Sequence, residues 1–305
     1  MVTIENRDLT KLADNHWEHV KYHFKNNTNI IRYNDIENFC RNIQIDFTFE
    51  KLIKADYKTL KYIKEYLYTK VKKISQYKDC SNKILSVYNN NFSQSNKSMG
   101  ENKYNAIELV ESLEIKVCPY CNRNYIDTRA YKNVKKSGCQ IDHFFDKYNY
   151  PLFALSFYNL IPVCPSCNHT KSTDEFYISP YDETKTTNEL ITFDWDLKDA
   201  DYLQKCSNIE ISYSCSTEMA EQFNKLKLEK PYKMHNDIVY EIVKKVELYD
   251  SDKVKELIND FPGITFNDDE KTKILFGTFL DNADFLNRPL SKLTYDILKK
   301  EKVIE

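Results

Sequence analysis

Cys118-Pro-Tyr-Cys121 and Cys164-Pro-Ser-Cys167 bracket two further runs, Gln140-Ile141-Asp142-His143-Phe144-Phe145 and Tyr158-Asn159-Leu160-Ile161-Pro162. The fold turns on how these stretches are read together. The two cysteine pairs share one spacing and one second-position proline. A C-x-x-C turn sets two thiolates on one side of a tight loop. Two such turns complete a tetrahedron around Zn²⁺, with each sulfur roughly 2.3 Å from the ion. The alternatives are a redox dithiol and plain core cysteines. A redox reading accounts for one pair but not for two in matching context. Such a zinc has four protein sulfurs and no open position, so it holds the fold and does not perform chemistry. It closes the intervening loop and contributes folding energy directly.

Working outward, the second pair runs on into Asn168-His169-Thr170-Lys171. The order is then an Asp-His pair, an Asn-Leu, and a C-x-x-C-Asn-x-x-Lys, all between residues 117 and 180. In type, order and approximate spacing this resembles the HNH family of ββα-metal nucleases, also called His-Me finger nucleases. The resemblance implies a small ββα core in which His143 is the general base, Asp142 and Asn168 are ligands of a catalytic metal ion, and Asn159 orients His143. It also implies a phosphate contact at Lys171. The family's third position is often His and here is Asn, a residue type the family also uses. His169 falls one place beyond the motif and is not assigned.

The chemistry is intelligible on its own terms. Cleaving a phosphodiester needs an activated water, in-line geometry and a stabilised leaving oxygen. An imidazole with a reference pKa near 6.5 can be neutral and accept a proton near pH 7. A carboxylate and an amide oxygen are hard donors suited to Mg²⁺ or Mn²⁺. Such an ion polarises the phosphate and neutralises the leaving oxygen. Taken alone, Asp142-His143 reads as a surface pair or a satisfied core histidine. Its place between two zinc pairs changes that reading. The reading kept beside the nuclease is a zinc-stabilised module that binds nucleic acid or protein without cutting.

Two further groups invite a functional reading. Arg129, Lys132, Lys135 and Lys136 lie in a loop just ahead of the Asp-His run, where they would hold a phosphate backbone or merely solubilise the loop. His16, His19 and His23 recur at spacings that share one helix face. With no acidic or cysteine partner nearby, they read as an ordinary helix surface.

The 305 residues are 41% hydrophobic and 30% charged, which fits a folded chain and not a disordered one. No run reaches the roughly 18 apolar residues of a membrane span. No charged-then-apolar leader opens the sequence, so a cytoplasmic location is expected. Without an export signal, the remaining cysteines (Cys40, Cys80, Cys139, Cys206 and Cys215) read as small buried hydrophobes and not as disulfides. Glycine is confined to Gly100, Gly138, Gly263 and Gly277, and none opens a P-loop or a dinucleotide turn. Net charge is −2. Residues 1–179 carry 26 basic and 20 acidic side chains, whereas 180–305 carry 18 basic and 26 acidic. The asymmetry reads either as a polyanion site on the first part with a protein contact on the second, or as two ordinary solvated faces.

The predicted class is mainly α with a small α+β insert. Residues 1–105 form a helical N-terminal region and linker, 106–180 the HNH module with its four-cysteine zinc site, and 181–305 a mostly helical region with a few strands. In the first region Leu52, Ile53, Leu60, Ile63 and Leu67 recur as on an amphipathic helix. Residues 89–105, rich in Asn and Ser, read as a linker or exposed loop, and 106–115 as a short helix. Strands are expected at 139–145, 159–163, 190–195 and 209–213, and a helix from Asn168 onward. A last helix is expected from Pro289, with Asn287 near its cap.

Three segments carry a narrower resemblance. They are Cys118-Pro-Tyr-Cys-Asn-Arg-Asn-Tyr-Ile126, Tyr150-Pro-Leu-Phe-Ala-Leu-Ser-Phe-Tyr-Asn-Leu160 and Arg288-Pro-Leu-Ser-Lys-Leu-Thr294. They are similar to bacterial HNH proteins encoded beside an ATPase, the PtuB-type nucleases of Septu anti-phage defence systems. That resemblance implies a P-loop ATPase partner. DNA is the leading expectation for the substrate of the HNH module, which grips backbone. RNA, such as tRNA, would suit the same site.

Overall fold

The computed structural model describes residues 2–4, 7–25, 33–94, 96–98, 104–248 and 267–304. Gly100, Gly263 and part of the expected 89–105 linker lie outside the described residues. The rest is mainly helical with small sheets of three, two and two strands. Among the described residues no helix is long and apolar enough to cross a membrane. The chain divides into two compact units, one of Asn6–Cys118 and Ile126–Glu183, the other of Met1–Glu5, Pro119–Tyr125 and Thr184–Glu305. The break expected at 105/106 is therefore absent, because the N-terminal helices share a unit with the Asp-His run.

In the larger unit, helices Leu9–Lys25, Tyr33–Ile43, Phe49–Ile53, Tyr77–Val87 and Ala106–Leu113 surround a core that includes Phe39, Phe49, Leu52, Ile84 and Leu109, all fully buried. The Leu52-to-Leu67 periodicity does bury one face, but not on one helix. Asp56 accepts a 2.7 Å hydrogen bond from Thr59 N, which caps a new start at Tyr57–Tyr62. That helix runs on through a π segment, Ile63–Leu67, to Tyr68–Val71.

Three antiparallel strands, β1 (Asn96–Ser98), β2 (Thr128–Tyr131) and β3 (Val134–Ser137), pair in the order β1-β3-β2. The lysine-rich stretch expected to be a loop is thus a hairpin. It turns through Lys132 and Asn133, with Lys132 at φ 52°, the left-handed conformation that tight hairpin turns use. β4 (Gln140–His143) then pairs antiparallel with β5 (Leu160–Val163), setting Asp142 opposite Ile161 and His143 opposite Leu160. Pro162, lacking an N–H, is tolerated because this sheet has only two strands and β5 has a free edge. The next helix, Pro165–Lys171, begins three residues before the expected Asn168, since Pro165 suits a first helical position. It ends at Lys171, where Ser172 takes φ 50°, ψ −118°.

In the smaller unit β6 (Ile191–Leu197) and β7 (Ile209–Cys215) form an antiparallel pair, close to the expected strands. Among the described residues it also holds helices Thr187–Leu190, Thr217–Lys225, Glu229–Lys233, Asn236–Leu248, Asp268–Phe276 and Ser291–Lys300. The last helix starts at Ser291 and not at Pro289, and Asn287 does not cap it but donates to Asp284 at 2.7 Å. Leu290, at φ 60°, instead donates its N–H to Asn122 O at 2.6 Å. Asn122 also donates to Phe285 O at 2.8 Å and accepts from Lys292 N at 3.2 Å. Tyr232 Oη donates to Cys121 O at 2.6 Å. The 288–294 segment singled out in the sequence thus braces the first cysteine knuckle. Beneath it Lys292 and Asp296 form a buried pair at 2.5 Å, and Asp296 also accepts from Phe193 N at 2.8 Å.

Candidate metal centre and histidine pocket

Cys118, Cys121, Cys164 and Cys167 are all buried, and their Sγ atoms lie within 4.8 Å of one another. Sulfurs at roughly 2.3 Å from a central ion would stand about 3.8 Å apart. A small contraction therefore suffices, and the group can hold a metal ion such as zinc. Of the other cysteines, Cys40, Cys80 and Cys139 are buried as expected, while Cys206 and Cys215 are half-buried.

β4, β5 and the 165–171 helix form a ββα unit next to an open pocket of about 570 Å³. Asp142, His143 and Asn168 all line it. His143 is 7% exposed. Its Nε2 lies 3.0 Å from Ala154 O. A carbonyl only accepts, so Nε2 carries the proton and Nδ1 is left as the acceptor. Tyr88, in a π segment at Tyr88–Phe92, meets the ring edge-on at 4.5 Å and fixes its plane. Burial pushes the imidazole down to about 3, and Lys147 and Lys171 add to this while the Ala154 bond opposes it. His143 is accordingly neutral near pH 7.

Asp142 is 4% exposed. The fully buried Lys171 donates to it at 3.2 Å and to His143 O at 3.1 Å, with the Phe176 ring 5.3 Å from its Nζ. The phosphate contact expected of Lys171 does not hold: the ammonium is spent inside, on the strand that carries Asp142 and His143. Asn159 is also fully buried, but it does not touch the His143 ring. Its Oδ1 accepts from Phe145 N at 2.7 Å, and its Nδ2 donates to Phe145 O at 3.1 Å and to Phe153 O at 3.0 Å. It fixes the turn after His143 and the residue before Ala154, so its hold on the imidazole is indirect. Asn168 Nδ2 donates to Gln140 Oε1 at 2.7 Å, which turns the amide so that Oδ1 remains for another donor or a cation.

The four basic hairpin residues have separate fates. Lys135 reaches Glu111 at 2.7 Å and Arg129 pairs with Asp127 at 2.8 Å. Lys132 Nζ lies 5.4 Å from the Tyr131 ring, and Lys136 is exposed opposite Arg129. Of the three N-terminal histidines, His16 is not on the surface but fully buried.

Sequence reasoning passed over Asp146 and Lys147 and left His169 unassigned, though all three line the pocket, and it passed over Tyr88, which meets the His143 ring. Lys147 is held 4.7 Å over the Tyr88 ring, and burial lowers its pKa against the raising effect of Asp146. His169 follows the motif residue Asn168 directly, and that adjacency was its signal in the sequence. Tyr88 had none, since its spacing from His143 is set by the fold.

Comparison of the chain with protein-family models, with curated proteins and with solved structures found no match.

Proposed function

We propose that the chain is a metal-dependent phosphodiester hydrolase of the HNH type, acting on DNA. One observation carries the reading. A neutral imidazole, tethered through Nε2 to the Ala154 carbonyl, borders the same open pocket as an acidic and an amide side chain on a ββα unit. In that role His143 Nδ1 takes the proton of an attacking water. Asn159 keeps the 144–145 turn in place so that the imidazole cannot swing.

The donors suit a hard divalent ion. Asp142 and Asn168 would hold Mg²⁺ or Mn²⁺ through two oxygens, with water and substrate supplying the rest. Lys171 competes for Asp142, but a carboxylate has about four lone-pair sites and can serve both. When bound, the ion would polarise the scissile phosphate and stabilise the leaving oxygen. Lys147 and the exposed Lys136 supply positive charge for the backbone. RNA would be gripped in the same way. A P-loop ATPase is the proposed partner in anti-phage defence, which co-purification would test.

The second reading, a non-catalytic binding module, is favoured by one specific observation: a lysine already neutralises Asp142. Plasmid DNA incubated with the protein and Mg²⁺ or Mn²⁺, alone and with the partner, separates the two. Nicking that His143→Ala abolishes supports the nuclease. Binding without cutting of DNA or RNA under every condition sinks it.

A further inference from the structure

Between residues 57 and 73 the chain carries six lysines and one acidic residue. Its helical part, Tyr57–Tyr62 continued through Ile63–Leu67 and Tyr68–Val71, buries Tyr57, Leu60, Ile63, Tyr68 and Val71. Lys64 clips it down, reaching Glu175 at 2.9 Å and lying 5.4 Å from the Phe145 ring. The opposite side presents Lys58, Tyr62, Tyr66 and Lys70, all exposed. Tyr62 and Tyr66 are 51% and 66% exposed, with ring centroids 5.3 Å apart. Residues four apart drift around an α-helix, because a turn holds about 3.6. The wider π turn at Ile63–Leu67 draws the row back into line.

A lone exposed tyrosine means nothing. Two side by side, capped at each end by a lysine on a strongly basic segment, form a stacking surface with a charge at either end. Positive charge selects an anionic polymer over an apolar peptide. Four helical residues advance about 6 Å, against roughly 3.4 Å per base along one strand of a duplex. The spacing therefore fits an extended strand whose bases are free to stack.

We propose that the row Lys58, Tyr62, Tyr66 and Lys70 binds single-stranded nucleic acid, the tyrosines stacking on bases and the lysines meeting phosphates. The inference does not depend on cleavage. It is tested without added divalent metal, so that its failure is distinct from failure of the nuclease reading. The probe is a fluorescent oligothymidylate, titrated with the full chain by anisotropy. Joint Tyr62→Ala and Tyr66→Ala replacement is expected to weaken binding by tenfold or more. Joint Tyr62→Phe and Tyr66→Phe replacement, which keeps the rings, is expected to restore it. Lys58→Gln with Lys70→Gln is expected to flatten the log–log salt dependence by about 1.4. The same oligonucleotide length as a duplex is expected to respond little to loss of the rings. Unchanged oligothymidylate binding by the alanine pair, with an unaltered melting curve, would overturn the proposal and leave the row to a protein partner. Equal loss on single strand and duplex would overturn it too.

Discussion

His16 and His143 hang from neighbouring carbonyls of one turn, His16 Nε2 at 2.8 Å from Leu155 O and His143 Nε2 at 3.0 Å from Ala154 O. Each is packed among aromatic rings, His16 against Phe92 and Phe157, His143 against Tyr88. Burial lowers the pKa of both. They part at the other nitrogen. His16 Nδ1 accepts from Tyr104 Oη at 2.9 Å, so both ring nitrogens have partners. Among the described residues His143 Nδ1 has no such partner, and the residue borders the open pocket with Asp142 and Asn168. What distinguishes the two histidines is not burial, tautomer or the direction of the pKa shift, which they share. It is whether the second nitrogen is closed by a hydroxyl or left open beside oxygen donors.

The largest effect should come from removing the frame that positions one histidine and not the other. Cys164→Ser, or stripping with a strong chelator, is expected to release about one zinc per chain by elemental analysis. Structural zinc sites are worth on the order of 10 kcal/mol of folding energy, so a large fall in melting temperature should follow. Cleavage persisting in a zinc-free, folded protein resupplied with Mg²⁺ would show that the pocket of His143 does not rely on the sulfur clamp.

Next in size is the functional contrast. His143→Ala is expected to slow plasmid cleavage by roughly 10²–10⁴-fold with a small change in melting temperature. His16 variants that still fold should cut at nearly the wild-type rate. If a folded His16→Gln protein loses cutting as completely, the two histidines do not divide as the geometry divides them.

Stability should show the reverse order. His16→Ala empties a fully buried site and strands the Tyr104 hydroxyl, a loss of about 3–5 kcal/mol by urea titration. His143→Ala opens onto a pocket and should cost less than half as much. Equal losses would erase the distinction between closed and open.

The smallest effect is a pH slope. His16 has its pKa lowered from 6.5 to about 4, so below pH 6.5 the unfolded chain takes up a proton that the folded one excludes. Stability is complete above pH 6.5 and is lost as pH falls towards 4, by roughly 3 kcal/mol for this group. His16→Gln should remove that share of the slope between pH 7 and pH 4.5. An unchanged slope would mean that His16 titrates normally.

The same contrast shows how far the chain could be read as letters. Spacing identified the two cysteine pairs, because thiolates held by a C-x-x-C turn have few places to go. It identified the β4–β5 and β6–β7 strands through β-branched and aromatic runs. It put Asp142, His143 and Asn168 together, since short linked elements leave their side chains little choice of neighbours. The basic hairpin was missed as structure. A run of lysines is silent about pairing, and the register that sets Val134 opposite Tyr131 appears only in the structure. The single amphipathic helix expected from Leu52 to Leu67 is broken, because a local hydrogen bond at Asp56 restarts the chain.

The sequence by itself determined which sulfurs can gather around a metal ion and which oxygen and imidazole donors stand close to them in the chain, because those are properties of side chains at fixed local spacing. Only the tertiary structure decided that Lys171 turns inward to Asp142, that Asn159 acts on a turn and not on the imidazole, and that His16 is sealed while His143 is open. Those outcomes depend on which buried donor meets which buried acceptor. Residues far apart in the chain settle that question, and no local pattern encodes it.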